Sequence, residues 1–282
     1  MIPVLCYHRI GGPLELGVTR VSRKAFQRQM EALAVAGWRT VTLSAFADAQ
    51  FEQSAIANPQ SAISRQSAIR NPQSTILLSF DDGYASLAEY AYPLLADLGF
   101  TATTFLVTDF VGRENTWDVR YTWRRMPHLD WGAIEHWAGR GFEFGSHTAT
   151  HPRLTWLEDR AATDELARSR ATLVERLGRG AGRAVAFPFG ATDPHVRALA
   201  KGAGYTIGFA GVRGDGRDPL DQPRLPVYSW DLGSVPLGLR AGWLGDSGRL
   251  AAHLANRCAV GTSWMLRLAG SRKAPGGGDS RL

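Results

Sequence analysis

Short apolar runs alternate with amphipathic segments along most of the chain. The apolar runs are rich in β-branched and aromatic residues and end at glycine or polar positions, which is typical of buried strands. These predicted strands cover 2–7, 38–43, 75–80, 101–107, 142–146, 183–187, 205–210 and 225–230. Segments with helical spacing, or with cap and stop residues, predict helices at 22–36, 86–98, 131–140, 158–177 and 193–203. Strand and helix alternation of this kind predicts a parallel sheet, either open or closed into a barrel.

Two stretches interrupt this alternation. Residues 53–74 nearly repeat the phrase QSAI-x-NPQ, are polar and contain two Asn-Pro pairs. Units this short and this poor in apolar residues cannot stack as a structural repeat, so we predict a low-complexity insertion that loops out of a single domain. Residues 269–282 are rich in glycine and polar residues and predict a disordered tail. The domain is therefore expected to span 1–268.

Composition and charge exclude several classes of protein. The formal charge is +6, and all but three of the 32 basic residues are arginines, which are scattered rather than clustered. We therefore expect no nucleic-acid partner, and no obligate protein partner is evident. The two cysteines, Cys6 and Cys258, cannot form a disulfide framework. Because no run approaches 18 apolar residues and the first residues lack the features of a signal peptide, we predict no transmembrane segment and a cytoplasmic location.

Two adjacent aspartates follow the third predicted strand, in the stretch ILLSFDDGY that contains Asp81 and Asp82. Parallel α/β folds place their sites at the carboxyl ends of strands. Two like charges at such an edge are costly unless a cation balances them. The alternative is an ordinary Asp-Gly turn without a chemical role.

Two histidines follow the fifth predicted strand, in the stretch GSHTATHP that contains His147 and His151. Their spacing would place both imidazoles on one face of a single helical turn, where both can reach one ion. One carboxylate and two imidazoles suit a divalent metal with an open water position, with zinc as the first choice and cobalt, nickel or iron as alternatives. Two surface histidines without a ligand are the alternative. A third segment, AFPFG at 186–190, follows another predicted strand and by itself indicates a packed turn.

Together these segments resemble the polysaccharide deacetylase family, carbohydrate esterase family 4, which shares a homology domain with nodulation chitooligosaccharide deacetylases. SFDDG is similar to the TFDDG motif of that family, SHTATH to its HxxxH motif and FPFG to its Pro-Tyr-Gly motif, and YHRI and RLPVY match as well. The resemblance covers roughly residues 2–230 and is strongest to the branch that acts on bacterial exopolysaccharides such as poly-N-acetylglucosamine. It implies an α/β fold, a distorted (β/α)7 barrel, and metal-dependent removal of acetyl groups.

The resemblance also implies a role for each matching residue. Asp82, His147 and His151 would be the metal ligands, and Asp81 would be the general base. The backbone N–H of Phe189 would stabilise the oxyanion that forms when the acetyl group is attacked. Substrate contacts are expected from Pro188, Phe189, Gly190, His8, Tyr84 and Trp230. The alternative for His8 is a structural role, and the alternative for the aromatic residues is packing in the core.

The chain departs from the family pattern at three positions. Ala186 stands where many members have an arginine that orients the catalytic aspartate, so Asp81 is expected to have a higher pKa than in those members unless another cation substitutes. Phe189 replaces the usual tyrosine. The late motif that supplies the general acid is not clear: His253 fits its letters but lies in a predicted helix, so His8 is the other candidate.

Four functions compete on this basis. The leading hypothesis is hydrolysis of N-acetyl groups on an acetylated glycan, with release of acetate. An esterase that removes O-acetyl groups from a polysaccharide would use the same motifs. A barrel that has lost turnover and binds carbohydrate or a partner is a third possibility, because the motif arginine and a clear late histidine are both missing. A phosphoryl-transfer enzyme built on Asp-Asp-Gly is disfavoured, since no glycine-rich phosphate loop accompanies it.

Overall fold

A parallel sheet forms the centre of the computed structural model, which describes residues 2–12, 19–56, 75–115, 125–212 and 214–233. In chain order the strands are β1 (Val4–Tyr7), β2 (Arg9–Ile10), β3 (Arg20–Val21), β4 (Arg39–Thr40), β5 (Thr75–Phe80), β6 (Thr103–Leu106), β7 (Glu143–Ser146), β8 (Ala184–Ala186), β9 (Ile207–Phe209) and β10 (Leu225–Pro226). All eight predicted strands occur, although most are shorter than their apolar runs.

The order of the strands identifies the architecture. Seven strands follow one another as β10-β1-β5-β6-β7-β8-β9, and every neighbouring pair is parallel. Strand β4 pairs with the start of β5, while β2 and β3 form a separate pair. The sheet curls into a half-barrel with helices outside it, which confirms the predicted α/β class and the distorted (β/α)7 barrel.

Six α-helices occur in the described ranges: α1 (Arg23–Val35), α2 (Leu43–Ile56), α3 (Tyr92–Asp97), α4 (Trp131–Ala138), α5 (Asp159–Leu177) and α6 (Pro194–Gly202). A π-helical turn at Leu87–Ala91 precedes α3. Three of the predicted helix starts have side-chain caps, because Ser22, Asp130 and Asp193 each accept a hydrogen bond from a backbone N–H in the first turn. Within the described ranges, no helix has both the length and the apolar character needed to cross a bilayer.

Helix α2 differs from the prediction. The sequence pattern predicts no helix over 43–56 and a low-complexity insertion that loops out from residue 53, whereas α2 continues through Ile56. Its start is stabilised from a distant strand, because the Glu143 carboxylate of β7 accepts hydrogen bonds from the Leu43 N–H and the Ser44 hydroxyl. A local pattern does not reveal such a contact. The rest of the predicted insertion (57–74), the domain end at 268 and the tail (269–282) lie outside the described residues.

Helix α2 packs against the interior of the half-barrel. Its Phe46 ring lies 5.6 Å from that of Phe209, which in turn lies 5.2 Å from Phe105. These rings belong to one buried cluster that contains Ile2, Val4, Val41, Leu43, Phe46, Ala47, Leu77, Phe105, Ala184, Ala186, Ile207 and Phe209. Two further clusters pack the outer face of the sheet, one against α1, α3 and α4 and one against α5 and α6.

The two faces of each strand follow a period of two, which determines what lies in the barrel interior. In β5, Leu77 belongs to the interior cluster, whereas Leu78 and Phe80 belong to the outer one. Because side chains alternate along a strand, Ser79 and Asp81 face the interior like Leu77. The same alternation places Cys6, His8 and His147 toward the interior near the carboxyl ends of their strands, and it also turns Arg224, just before β10, toward the interior.

We predict that Phe46→Ala lowers the free energy of unfolding by about 3–5 kcal/mol, since a fully buried ring (0% exposed) leaves a cavity inside the barrel. Val35→Ala is the control, because that side chain is 90% exposed, and should change stability by less than about 0.5 kcal/mol. Urea unfolding followed by circular dichroism measures both. Equal effects of the two substitutions would contradict the packing of α2 into the barrel.

Candidate metal and active site

The three predicted metal ligands lie together at the carboxyl ends of β5 and β7. The Asp82 Oδ1 atom lies 3.4 Å from His151 Nε2 and 3.7 Å from His147 Nε2. Two ligand atoms that each lie about 2.1 Å from one tetrahedral ion are roughly 3.4 Å apart. The observed separations therefore suit a single ion held by these three side chains.

The loop that contains both histidines is not the helical turn that their spacing predicts. Thr148 and His151 have left-handed backbones, with φ of 67° and 65°. Two local hydrogen bonds support this shape: the Thr148 N–H donates to Ser146 Oγ at 3.1 Å, and the His151 N–H donates to Thr148 Oγ1 at 3.1 Å. The prediction of a helical turn is wrong, and the left-handed residues bring the imidazole centroids within 4.8 Å instead.

Hydrogen bonding and burial define the state of the two imidazoles. His147 Nδ1 lies 2.7 Å from the Ala186 carbonyl oxygen. Because a carbonyl only accepts, Nδ1 bears the proton and the Nε2 lone pair faces Asp82. Burial lowers the pKa of His147 to about 4 and the pKa of His151 well below its ordinary value. Both rings are therefore neutral near pH 7, the form in which imidazole binds metals.

The second aspartate of the pair is held by an arginine. Arg224, just before β10, donates from Nη1 to Asp81 Oδ1 at 2.6 Å and from Nη2 to Oδ2 at 2.8 Å. Both side chains are buried, and the guanidinium carbon lies 5.7 Å from the Phe105 ring centroid. Burial by itself raises the pKa of Asp81, but the charge and hydrogen bonds of Arg224, together with smaller contributions from His147 and His8, outweigh that effect and leave the pKa well below its ordinary value.

The pairing of Asp81 with Arg224 bears on the expectation, drawn from Ala186, that the pKa of Asp81 is raised. The missing motif arginine predicts a raised pKa for Asp81 unless another cation substitutes, and Arg224 is that cation. The raised pKa is therefore not found. The sequence does contain a signal for Arg224, because alternation along the last strand turns Leu225 and Val227 to the outer core and Arg224 to the interior.

The third predicted motif forms a short turn after β8 that contacts the histidine loop. Phe189 has a left-handed backbone, with φ of 61°, and its ring lies 4.9 Å from that of His151. Gly190 also has φ of 61°, and a Cβ there would lie 2.6 Å from the Gly211 Cα, so this position requires glycine. Pro188 is buried at the start of the turn.

The remaining predicted site residues differ in their surroundings. His8 follows β1, and an imidazole nitrogen lies within 4.8 Å of both the Cys6 Sγ atom and an Asp81 carboxylate oxygen. Tyr84 is buried, with its ring 5.2 Å from that of His128. Trp230 is 43% exposed and packs on Tyr228, with ring centroids 4.8 Å apart. His253 lies outside the described residues.

His128 is a buried site residue that the sequence analysis does not identify. Its imidazole hydrogen-bonds the backbone of Asp82, and burial lowers its pKa to about 4. Asp82 needs such support because its own backbone is left-handed, with φ of 71°. His128 comes from a loop that pairs with Tyr84 in an isolated bridge. No periodic pattern marks that loop, so the sequence offers no signal for this contact.

We predict that Arg224→Met lowers the free energy of unfolding of the metal-free protein by about 3–5 kcal/mol, because a buried carboxylate loses its partner. In an Asp81→Asn background the same substitution should cost far less, since no charge remains to be paired. A double-mutant cycle in urea with a chelator present measures the coupling. Arg160→Met, at an exposed position of α5, should change stability by less than about 0.5 kcal/mol. Equal costs of Arg224→Met in both backgrounds would rule the coupling out.

Comparison with known proteins identifies the family of this chain. The family model described as polysaccharide deacetylase matches residues 68–208. YxkH of Bacillus subtilis (strain 168), which bears a polysaccharide deacetylase name, is 26% identical over 207 residues, and the match covers 73% of this chain but 63% of YxkH. IcaB from Ammonifex degensii has a TM-score of 0.60 at 25% identity, with 80% of this chain and 91% of IcaB covered.

A more divergent structure supports the fold alone. The Streptococcus pyogenes deacetylase PplD has a TM-score of 0.63 at 19% identity, and the alignment covers 82% of this chain and 93% of PplD. The family match begins at residue 68, within the predicted insertion, extends to β9 and includes all three motifs. The chain belongs to the polysaccharide deacetylase family.

Proposed function

We propose that this protein is a metal-dependent hydrolase that removes N-acetyl groups from an acetylated glycan and releases acetate. Membership of the polysaccharide deacetylase family supports a carbohydrate deacetylase. The observation on which the proposal depends is the cluster of Asp82, His147 and His151, whose ligand atoms lie within 4.8 Å of one another. Beside it, Asp81 is held separately by Arg224.

The three clustered side chains would hold a divalent ion, most simply zinc, with cobalt, nickel or iron as alternatives. When bound, such an ion lowers the pKa of water and polarises an acetyl carbonyl. The donor set suits this role because it combines one carboxylate with two neutral imidazoles. His147 is further oriented by the Ala186 carbonyl, the kind of support that metal-binding histidines commonly have.

Asp81 is assigned the role of general base. Its Oδ2 atom lies 3.9 Å from His147 Nε2, next to the proposed ligands but not among them. The pair with Arg224 keeps this carboxylate ionised and fixes its orientation before substrate arrives. An ionised carboxylate accepts a proton from the attacking water at one of its oxygens. Arg224 thus lowers the basicity of Asp81 but gives its carboxylate a defined position and a negative charge.

Hydrolysis of an amide also requires a proton on the leaving nitrogen, and we assign its donation to His8. The imidazole is half-buried in the barrel interior beside Asp81, and its charge state influences the pKa of Asp81.

The backbone N–H of Phe189, in the turn against His151, is the proposed donor to the developing oxyanion. Trp230 is the proposed platform for a sugar ring because its face is partly exposed. Tyr84, Pro188 and Gly190 stay candidate substrate contacts.

The alternative of a barrel without turnover loses its main argument. That alternative rested on Ala186 and on the absence of a clear late histidine. Arg224 supplies the cation that the motif lacks, and His8 offers an acid from the first strand. An esterase on the same site differs only in the bond cleaved, so substrate comparison decides between the two reactions.

We predict acetate release from N-acetylglucosamine oligomers by purified protein, loss of that release with a chelator, and recovery when zinc is returned. An O-acetylated xylan oligomer serves as the comparison substrate. Release from the ester substrate alone would assign an esterase. Metal-loaded protein that releases acetate from neither substrate would contradict the hydrolase proposal. Enzymatic determination of acetate, with and without the chelator, measures its release from both substrates.

We predict that Asp82→Asn lowers bound metal well below the level of about one ion per chain expected for a three-ligand site. Asp81→Asn and His8→Ala should keep the metal but lower turnover by roughly 10²–10⁴-fold, because each removes a proton-transfer group. Asp97→Asn, at an exposed position of α3, is the control and should match wild type in both measurements. Metal content is measured by mass spectrometry and turnover by acetate release. Turnover at the wild-type rate in Asp81→Asn would remove Asp81 from the role of base.

A further inference from the structure

We propose that Glu165 of α5 is a positioning residue for the metal ligands, because its carboxylate holds the loop between His147 and His151 in the shape that turns both imidazoles toward Asp82. This inference rests on the proposed function, since it assumes that the two histidines bind an ion. Glu165 does not itself touch the candidate ligand atoms. Its effect would pass through the backbone of the loop.

Three hydrogen bonds connect Glu165 to the middle of this loop. Its Oε2 atom accepts from the Ala149 N–H at 3.0 Å and from the Thr150 N–H at 2.8 Å. Its Oε1 atom accepts from the Thr150 hydroxyl at 2.7 Å. The Glu165 side chain is only 12% exposed, whereas Thr150 lies at the surface, and all three bonds are accepted by a carboxylate. Such charge-assisted bonds are stronger than bonds between neutral groups.

The loop needs an external support because its backbone is strained at both ends. Thr148 and His151 are left-handed, a conformation that non-glycine residues adopt at a cost. The bond to Ser146 Oγ connects the start of the loop to β7, but neither bond within the loop connects its middle, Ala149 and Thr150, to the rest of the domain. Glu165 supplies that connection from α5, on the side of the loop where the two amide N–H groups point.

The carbonyl side of the same loop is held by the segment after β6. The Thr108 N–H donates to the Thr148 carbonyl at 3.2 Å, and the Asp109 N–H donates to the Ala149 carbonyl at 3.0 Å. The loop is therefore fixed from two directions, by backbone on one side and by a single side chain on the other. Replacing Glu165 removes one whole side of this support, whereas no single side-chain substitution removes the other.

Arg168 stands behind Glu165 but contributes less. Its guanidinium lies 3.6 Å from Glu165 Oε1 and 3.2 Å from Asp109 Oδ2, so it bridges α5 and the segment after β6. The arginine side chain is 47% exposed, and ion pairs at such positions are weak. Glu165 is accordingly the residue whose loss should disturb the histidines.

The test measures zinc affinity by competition with a chromophoric chelator and ligand geometry by the visible spectrum of the cobalt-loaded protein. Glu165→Ala should weaken zinc binding by about ten-fold or more and change the cobalt spectrum, as expected when support of metal ligands is lost. Glu165→Gln should fall between Ala and wild type, because its remaining carbonyl oxygen can still accept from the loop. Glu175→Ala, at an exposed position of the same helix, controls for the loss of a glutamate from α5.

The outcomes separate this inference from the proposed function. Wild-type protein that binds no zinc overturns the metal site itself. Wild-type protein that binds zinc, together with a Glu165→Ala variant of equal affinity and unchanged cobalt spectrum, overturns only the positioning role. If the Ala variant does not fold, Glu165→Gln decides: weaker zinc binding than in Glu175→Ala supports the role, and equal binding overturns it.

Discussion

Alternation of side chains along parallel strands is the constraint on which the whole site depends. Each strand that packs Leu or Phe residues into the outer core must turn its intervening residues inward. Near the carboxyl ends of the strands these inward residues are Cys6, His8, Asp81 and His147 rather than apolar ones, and the side chain of Arg224, just before β10, reaches Asp81. The apolar interior cluster ends at Phe105 and Phe209, and the Arg224 guanidinium lies against both rings. Packing of the outer face of the sheet therefore places polar side chains inside one end of the barrel.

Charge balance then assigns different roles to the two aspartates. Both are buried, and two buried carboxylates side by side are costly without cations. Arg224 neutralises Asp81 through two hydrogen bonds. Asp82 faces two imidazoles that burial keeps neutral, so a divalent cation at that point would supply the charge that the histidines do not. The same arrangement leaves Asp81 ionised but outside the proposed ligand set, which is what a base beside a metal requires.

The parts of this arrangement that follow from local sequence could be predicted, and the parts that depend on distant contacts could not. Strand periodicity located the aspartates and histidines at one edge, and the motifs indicated a metal. Helix α2 escaped prediction because Glu143 of β7 stabilises its start. The histidine loop was predicted as a helical turn because spacing alone does not report a left-handed backbone. His128 lies in a loop without a periodic pattern. The role of Arg224 can be recognised only once β10 is known to lie beside β1.

Backbone strain explains why so much of the site depends on distant contacts. Four non-glycine residues in the described ranges have left-handed φ, namely Asp82, Thr148, His151 and Phe189, and all four lie in the site. Such conformations persist only where the surroundings impose them. At Asp82 the hydrogen bond from His128 does so, and at the histidine loop the three bonds to Glu165 do so. Because these supports contribute little to the three hydrophobic clusters, the geometry of the site can be lost while the barrel stays folded. Selection on activity would therefore act on residues such as Glu165 and His128 that none of the three motifs contains.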